Sequence, residues 1–180
     1  MTKQIYIQPA DVAAAEPLAQ LSERTFRAAF AKDNSPEDME AYVSASFSLS
    51  RIQAELADEA NRFLLAFALG GDVPCGYAKL RTGRTDPSVT GPDPIELERL
   101  YVDQSMIGCG VGATLMRASL NAARLAGYRT LWLGVWEHNE RAIAFYQRWG
   151  FTTSGRYVFV LGSDRQTDFI MERPVEDSGS

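Results

Sequence analysis

The sequence has one histidine, His138, and two cysteines, Cys75 and Cys109, in 180 residues. Histidine-based triads and multi-histidine metal sites therefore have little to draw on. Two cysteines so far apart form neither a metal-spaced cluster nor a disulfide framework. No apolar run approaches the roughly 20 residues that a membrane helix requires. The opening residues Met1-Thr2-Lys3-Gln4-Ile5-Tyr6-Ile7 lack the apolar core of a signal peptide, so a reducing cytoplasm is the expected location. Basic residues are outnumbered, 18 against 23 acidic, leaving a net charge of −5. That balance speaks against nucleic acid, whose binding needs clustered Lys and Arg, and is compatible with a cationic substrate. There is no internal repeat and no low-complexity tract.

What is present suits one domain with a sizeable core, over about residues 1–175, followed by a disordered tail at 176–180. The composition is 46% hydrophobic and 23% charged, ordinary for a globular chain. Residues 3–8 alternate as a first strand. Val12, Leu18, Leu21, Phe26 and Phe30 mark a helix over about 11–31, with a break expected at Pro17. Ser35-Pro36-Glu37-Asp38 is a helix start, Ser at the N-cap and Pro at the first position. That helix carries Met39, Tyr42 and Val43 and should end before the Ser-rich stretch 44–50, with a short helix to follow at 50–59. Two strands, 62–69 and 74–81, flank the turn Gly70-Gly71-Asp72. Residues 83–94, with three prolines and two glycines, form a loop, and a strand at 95–102 follows it.

The most informative stretch comes next: Ile107-Gly108-Cys109-Gly110-Val111-Gly112. Glycines at alternate positions let the backbone approach a ligand closely. The helix they open would present unpaired N–H groups and a dipole that favour phosphate. A nucleoside-triphosphate loop needs Lys-Ser/Thr after its last glycine, but Gly112 is followed by Ala113-Thr114. The dinucleotide spacing G-x-G-x-x-G/A is met by Gly108, Gly110 and Ala113, yet no acid for a ribose comes before Glu137. Fewer than 70 residues remain after the loop, too few for the rest of a doubly wound cofactor domain.

The helix after the loop carries Val111, Leu115, Ala118, Ala122 and Leu125 as a buried stripe, with Arg117, Asn121 and Arg124 on the wet face and Gly127 at the end. A continuous apolar strand at 130–135 reads as covered on both faces. Asn139 is placed to cap a helix that carries Ala142, Phe145, Tyr146 and Trp149 on one face and ends at Gly150. Strands at 156–161 and 167–173 complete a mixed α/β layer.

Taken in order, Ile107-x-x-Gly110-x-Gly112, Asn139-x-x-Ala142-x-x-Phe145-Tyr146 and Gly150-Phe151 resemble the Gcn5-related (GNAT) N-acetyltransferases, closely over 95–173. Glu96-Leu-Glu-Arg-Leu-Tyr-Val102, Gly134-Val-Trp-Glu-His-Asn-Glu140 and Gln166-Thr-Asp-Phe-Ile-Met171 resemble the PaiA-type spermine/spermidine acetyltransferases within that superfamily. The resemblance implies a single-domain α/β fold, a mixed sheet of about seven strands flanked by about four helices. It also implies acetyl-CoA as cosubstrate, no metal, and direct acetyl transfer to a primary amine of a small molecule, a polyamine by preference. One departure stands out: the family's Gln or Arg at the start of the loop is Ile107 here.

The chemistry asks for a base to take the ammonium proton, a donor for the oxyanion and an acid for the leaving thiolate. Glu96 and Glu98, two apart on one strand, share a face. The family spacing favours Glu98 as base, with Glu96 the alternative. Tyr146 matches the family's acid. Backbone at Leu100, Tyr101 and Val102 is expected to pair with the cofactor's pantetheine arm, and Ile107, Gly108, Cys109, Gly110, Val111, Gly112 and Ala113 to cradle its pyrophosphate. Asn139 and Ala142 are expected against the same ligand. Phe26, Phe30 and Tyr42 are candidate acceptor-lining residues. His138 reads as a helix-entry residue and Cys109 as loop filling, since no partner activates it. Other readings are an acyl-CoA sensor without turnover, an acetyltransferase acting on a protein or peptide amine, and, least well supported, a dinucleotide-binding reductase. A homodimer is compatible with the resemblance; nucleic acid and membrane partners are not expected.

Overall fold

The computed structural model describes residues 4–176. The expected tail beyond Glu176 and Lys3 of the expected first strand lie outside the described residues. Seven strands form one sheet: β1 (Ile5–Pro9), β2 (Asn61–Ala68), β3 (Pro74–Arg81), β4 (Pro94–Val102), β5 (Thr130–Trp136), β6 (Thr152–Leu161) and β7 (Asp164–Pro174). Their spatial order is β1-β2-β3-β4-β5-β7-β6. Only the β4–β5 pair is parallel; every other neighbouring pair is antiparallel.

The helices α1 (Ala15–Phe30), α2 (Pro36–Phe47), α3 (Leu49–Ala57), α4 (Val111–Leu125) and α5 (Glu140–Arg148) cover both faces. One core joins α4 and α5 to Leu64, Ala66, Ala78, Leu80, Ile95, Leu97, Leu131 and Leu133. The other joins α1, α2 and α3 to Phe63, Leu65 and Tyr77. The alternation of β-strand side chains sorts these residues to the two faces. The expected mixed α/β sheet of about seven strands is thus the observed architecture.

Several boundaries differ from the sequence reading. Pro17 does not break α1, because it falls in the first turn, where its missing N–H has no intrahelical acceptor to lose. The Ser35 hydroxyl accepts from the Asp38 N–H at 3.1 Å, as its N-cap position predicts. α2 runs on through Ser44-Ala45-Ser46 to Phe47, which is buried in the core; burial of that ring outweighs the low helix propensity of serine. Leu125 is 70% exposed, so it is not part of the buried stripe of α4, whose inner face instead takes Met116, Ser119 and Ala123. β6 and β7 are longer than expected, and of the expected α5 stripe only Tyr146 is buried.

Two irregularities shape β4. It pairs with β5 only at Pro94–Thr130, Ile95–Leu131 and Glu96–Trp132, after which the strands part, leaving that edge of β4 without a strand partner. On its other side, Leu97 faces Leu80 and Arg99 faces Lys79, so Glu98 is an extra, bulged residue. Leu97 lies in the α4 core while Arg99 bonds Glu55 of α3 on the opposite face. The bulge therefore sets Glu98 and Arg99 on one face and keeps Glu96 with them.

Candidate active site

A cavity of about 1030 Å³ opens where β4 and β5 part, reaching from the glycine loop to the α1–α2 side of the sheet. At the loop, Gly108 and Gly110 have φ of 80° and 86°, a conformation that glycine adopts without cost. Gly112 differs: a Cβ there would meet the Phe145 ring at an ordinary 3.5 Å. The Cys109 N–H turns inward to the Met106 carbonyl at 3.2 Å, and the Thr114 N–H bonds the Gly110 carbonyl at 3.0 Å. Val111, Gly112 and Ala113 occupy the first turn of α4, whose N–H groups have no intrahelical acceptor. The run 107–113 thus offers fewer open amides than its length suggests, since those of Ile107 and Cys109 are already bonded, the former to the Gln104 carbonyl. Ile107 is 38% exposed at the rim, while the Cys109 side chain packs against the core. Arg141 and Arg148 of α5 line the same cavity.

Leu100, Tyr101 and Val102 carry the free edge of β4, and all three line the cavity with Asn139, Ala142 and Tyr146. Asn139 caps α5, its Oδ1 accepting from the Ala142 N–H at 3.2 Å. Tyr146 packs edge-on against Phe145 and Phe151. Burial pushes its phenol up to about 12, so it stays protonated at neutral pH.

The two carboxylates of β4 have unlike surroundings. Glu98 is held by Lys79 Nζ and by Arg81 Nη1 at 3.3 Å. Burial pushes its carboxyl up, but Lys79, Arg99 and Arg81 together outweigh burial and hold it below the usual carboxylate range. Lys79 also pairs with Glu55 at 3.1 Å, and Glu55 with Arg99 at 2.8 Å. Glu98 is therefore one end of a partly buried ionic network tying α3 to β3 and β4. Glu96 has no such partner. It is 6% exposed, and its Oε2 has no hydrogen bond. Burial and then the charge of Glu98 push its carboxyl up, against Arg84, Arg81 and Lys79. A buried, unpaired carboxylate with a raised pKa holds a proton better than an ion-paired one.

The acceptor-side residues expected from sequence form one aromatic wall. Phe26 stacks on Tyr42 at 4.6 Å and contacts Phe30 at 4.7 Å, although Phe26 itself is largely core. Sequence reasoning missed the opposite wall, made by Trp136, Tyr157, Phe159 and Asp168. A glycine inside the apolar strand β5 is the signal that could have found it, because it marks a close approach. A Cβ at Gly134 would lie 2.8 Å from the Tyr157 ring. His138 sits at the entry to α5, edge-on to Trp136.

The profile of the Acetyltransferase (GNAT) family matches residues 18–151. The chain belongs to the GNAT family. It is 37% identical over 153 residues to an N-acetyltransferase of Lactobacillus delbrueckii subsp. lactis, covering 85% of this chain and 87% of that one. An N-acetyltransferase of Mycobacterium tuberculosis is 34% identical over 160 residues, 88% of this chain and 96% of its own. In fold, the chain is similar to the PaiA N-acetyltransferase of Thermoplasma acidophilum, solved with coenzyme A: TM-score 0.76, 22% identity, 95% and 99% of the two chains covered. The GNAT membership makes the protein an N-acetyltransferase. No helix among the described residues is long and apolar enough to cross a membrane.

Proposed function

We propose that the protein transfers acetyl from acetyl-CoA to a primary amine of a small cationic molecule, with a polyamine such as spermidine as the acceptor. The observation that carries this reading is Glu96: a buried carboxylate without a partner, in the cavity that also holds Tyr146 and the glycine loop. The loop fits the cofactor. Its open first-turn N–H groups, the left-handed Gly108 and Gly110 and the nearby Arg141 and Arg148 suit a pyrophosphate. The free edge of β4 at Leu100–Val102 suits an amide-bearing arm, and Asn139 and Ala142 border it. Acetyl-CoA supplies the acetyl group as a thioester and leaves as the free thiol.

An alkylammonium with pKa about 10 must lose its proton before its nitrogen can form the amide bond. Glu96 takes that proton. Sequence alone favours Glu98 for the role, but the hold of Lys79 and Arg81 makes Glu98 a weaker base and gives it the task of raising Glu96. Tyr146 donates a hydrogen bond to the leaving sulfur. Its proton is held more tightly than a thiol with ordinary pKa about 8.5 would hold it, so Tyr146 keeps that proton, and the second N–H proton, shed as the amide forms, goes to the departing thiolate. The backbone N–H near Val102 serves the oxyanion.

The polyamine reading is supported by a shorter similarity to the spermine/spermidine N(1)-acetyltransferase of Bacillus subtilis. That match is 33% identical over 64 residues, 35% of this chain and 42% of that one. The negative charge of the chain and the aromatic wall also suit a cation. Release of CoA thiol over a panel of mono-, di- and polyamines and a lysine peptide tests this. Stabilisation by acetyl-CoA and not by NAD(P)H is expected beforehand. Turnover with the peptide alone would move the acceptor to proteins, and binding without turnover on any amine would make the protein an acyl-CoA sensor.

A further inference from the structure

Asp168 is absent from every role assigned so far, yet it is built like a binding residue. It is 7% exposed, its Oδ1 has no hydrogen-bond partner, and it lines the same cavity as Glu96. Among the described residues neither Glu96 nor Asp168 has a Lys or Arg in ion-pair contact, whereas Glu98 on the same face has two. An unpaired carboxylate buried to this degree is costly unless a cation completes it. Its surroundings suit one. Trp136 is its cross-strand neighbour on β5; Phe30 lies 6.2 Å from Trp136, and Tyr42 lies 5.8 Å from Phe159. The Tyr157 phenol, lodged over Gly134, interacts with the Asp168 carboxyl and steadies it.

The two open carboxylates are too far apart for one ammonium. Glu96 is registered with Trp132, and Asp168 with Trp136 four residues further along β5, on its other side. Four strand residues at ~3.3 Å and two strand spacings of ~4.8 Å put their Cα atoms roughly 16 Å apart.

We propose that Asp168, steadied by Tyr157, is a second cation subsite that holds a non-reacting ammonium of the acceptor and so selects di- and polyamines over monoamines. This rests on the reading that Glu96 serves the reacting amine. The second ammonium adds binding energy remote from the bond that forms, so its loss is felt in KM more than in kcat.

The test compares 1-aminobutane, 1,4-diaminobutane and spermidine as acceptors for the full chain and for Asp168→Asn, by CoA thiol release. The wild type is expected to favour spermidine over 1-aminobutane. Asp168→Asn should lower kcat/KM for spermidine roughly 10- to 100-fold, mainly through KM, and leave 1-aminobutane within about three-fold. Tyr157→Phe keeps the ring over Gly134 and should show the same selective loss, but smaller. It also serves as the second variant should Asp168→Asn not fold, with unchanged acetyl-CoA affinity as the folding control. Equal losses on mono- and polyamines in a folded variant, or a wild type without polyamine preference, would overturn the subsite while leaving the acetyltransferase reading intact. Thiol release from no amine at all would instead overturn the catalytic reading beneath it.

Discussion

The two arms of the cavity are made of different material. The arm proposed for the cofactor is mostly backbone: the first turn of α4, two left-handed glycines and the unpaired edge of β4, with the side chains of Arg141 and Arg148 beside them. The arm proposed for the acceptor is almost entirely side chain, with Glu96, Asp168, Tyr157, Trp136, Phe30 and Tyr42 converging from four strands and two helices. Backbone recognition tolerates changes of side chain and resists changes of conformation. Side-chain recognition does the reverse. Ile107 illustrates the first half of that contrast: its side chain stands 38% exposed at the rim, while Gly108 and Gly110 beside it hold the left-handed turn.

The sharpest way to break the comparison is at Glu96. Glu96→Gln should cut turnover about 10²–10⁴-fold near neutral pH, measured by CoA thiol release. The deficit should narrow as pH approaches the pKa of the amine, because more acceptor then arrives neutral. Glu98→Gln should cost less. If Glu98→Gln shows the larger, narrowing deficit, the two carboxylates have exchanged roles.

On the backbone arm, Gly110→Val should weaken acetyl-CoA binding by up to roughly 5- to 150-fold, since a β-branched residue at φ 86° is strained by about 1–3 kcal/mol. Gly112→Ala sharpens the point. An added methyl there meets only ordinary contact with Phe145, so folding is spared and any loss of affinity, read by calorimetry, reports how closely the ligand approaches.

Tyr146→Phe should come next, slowing kcat about 10- to 100-fold with little change in acetyl-CoA affinity. Equal falls in both would make the ring a packing element.

The smallest expected effects are on stability, and they have opposite signs. Burial, aided by the charge of Glu137, pushes the Asp168 carboxyl up to about 6. Its folded form binds the proton more tightly than the unfolded chain does, so its contribution is fully present below about pH 4 and is lost as pH rises through about 6. Asp168→Asn should therefore raise the melting temperature at pH 7 and make no difference below about pH 4. Arg99 and Lys79 outweigh burial at Glu55 and hold its carboxyl low. Its contribution is present above the ordinary carboxyl range and is lost as pH falls below it. Glu55→Gln should lower the melting temperature at pH 7, with the difference shrinking in acid. A matching sign for both variants would mean that Asp168 is a structural residue like Glu55.

The same contrast explains what could be read before the structure. Left-handed glycines, an N-cap serine and an N-cap asparagine announce themselves within a few residues, because their causes are local. The order of strands and helices followed from such local signals, whereas their joining in one seven-stranded sheet is what the resemblance to the GNAT family implied. The end of α2 did not, since Phe47 extends that helix by packing against Phe26 on another element. Leu125 fits a helical stripe by spacing and still faces water, 70% exposed in the last turn of α4. The unlike states of Glu96 and Glu98 rest on a bulge and on Lys79 and Arg81 of a neighbouring strand, which no spacing in β4 encodes. Asp168 and Tyr157 join Glu96 in one cavity only through the pairing of four strands, β4, β5, β7 and β6, so the acceptor wall is the part least visible in one dimension.

The seam between β4 and β5 also has a dynamic consequence. Three register pairs join β1–β4 to β5–β7, and beyond them the sheet is two flaps sharing a short stitch. Amides inside β2 and β3, paired on both sides, should exchange with deuterium only when the domain opens as a whole. The free lip of β4 should exchange through local motion, and its protection should rise when a ligand lies along it as a missing strand would. The timing of exchange on that lip would then read out occupancy directly, with no acceptor present and no bond made or broken.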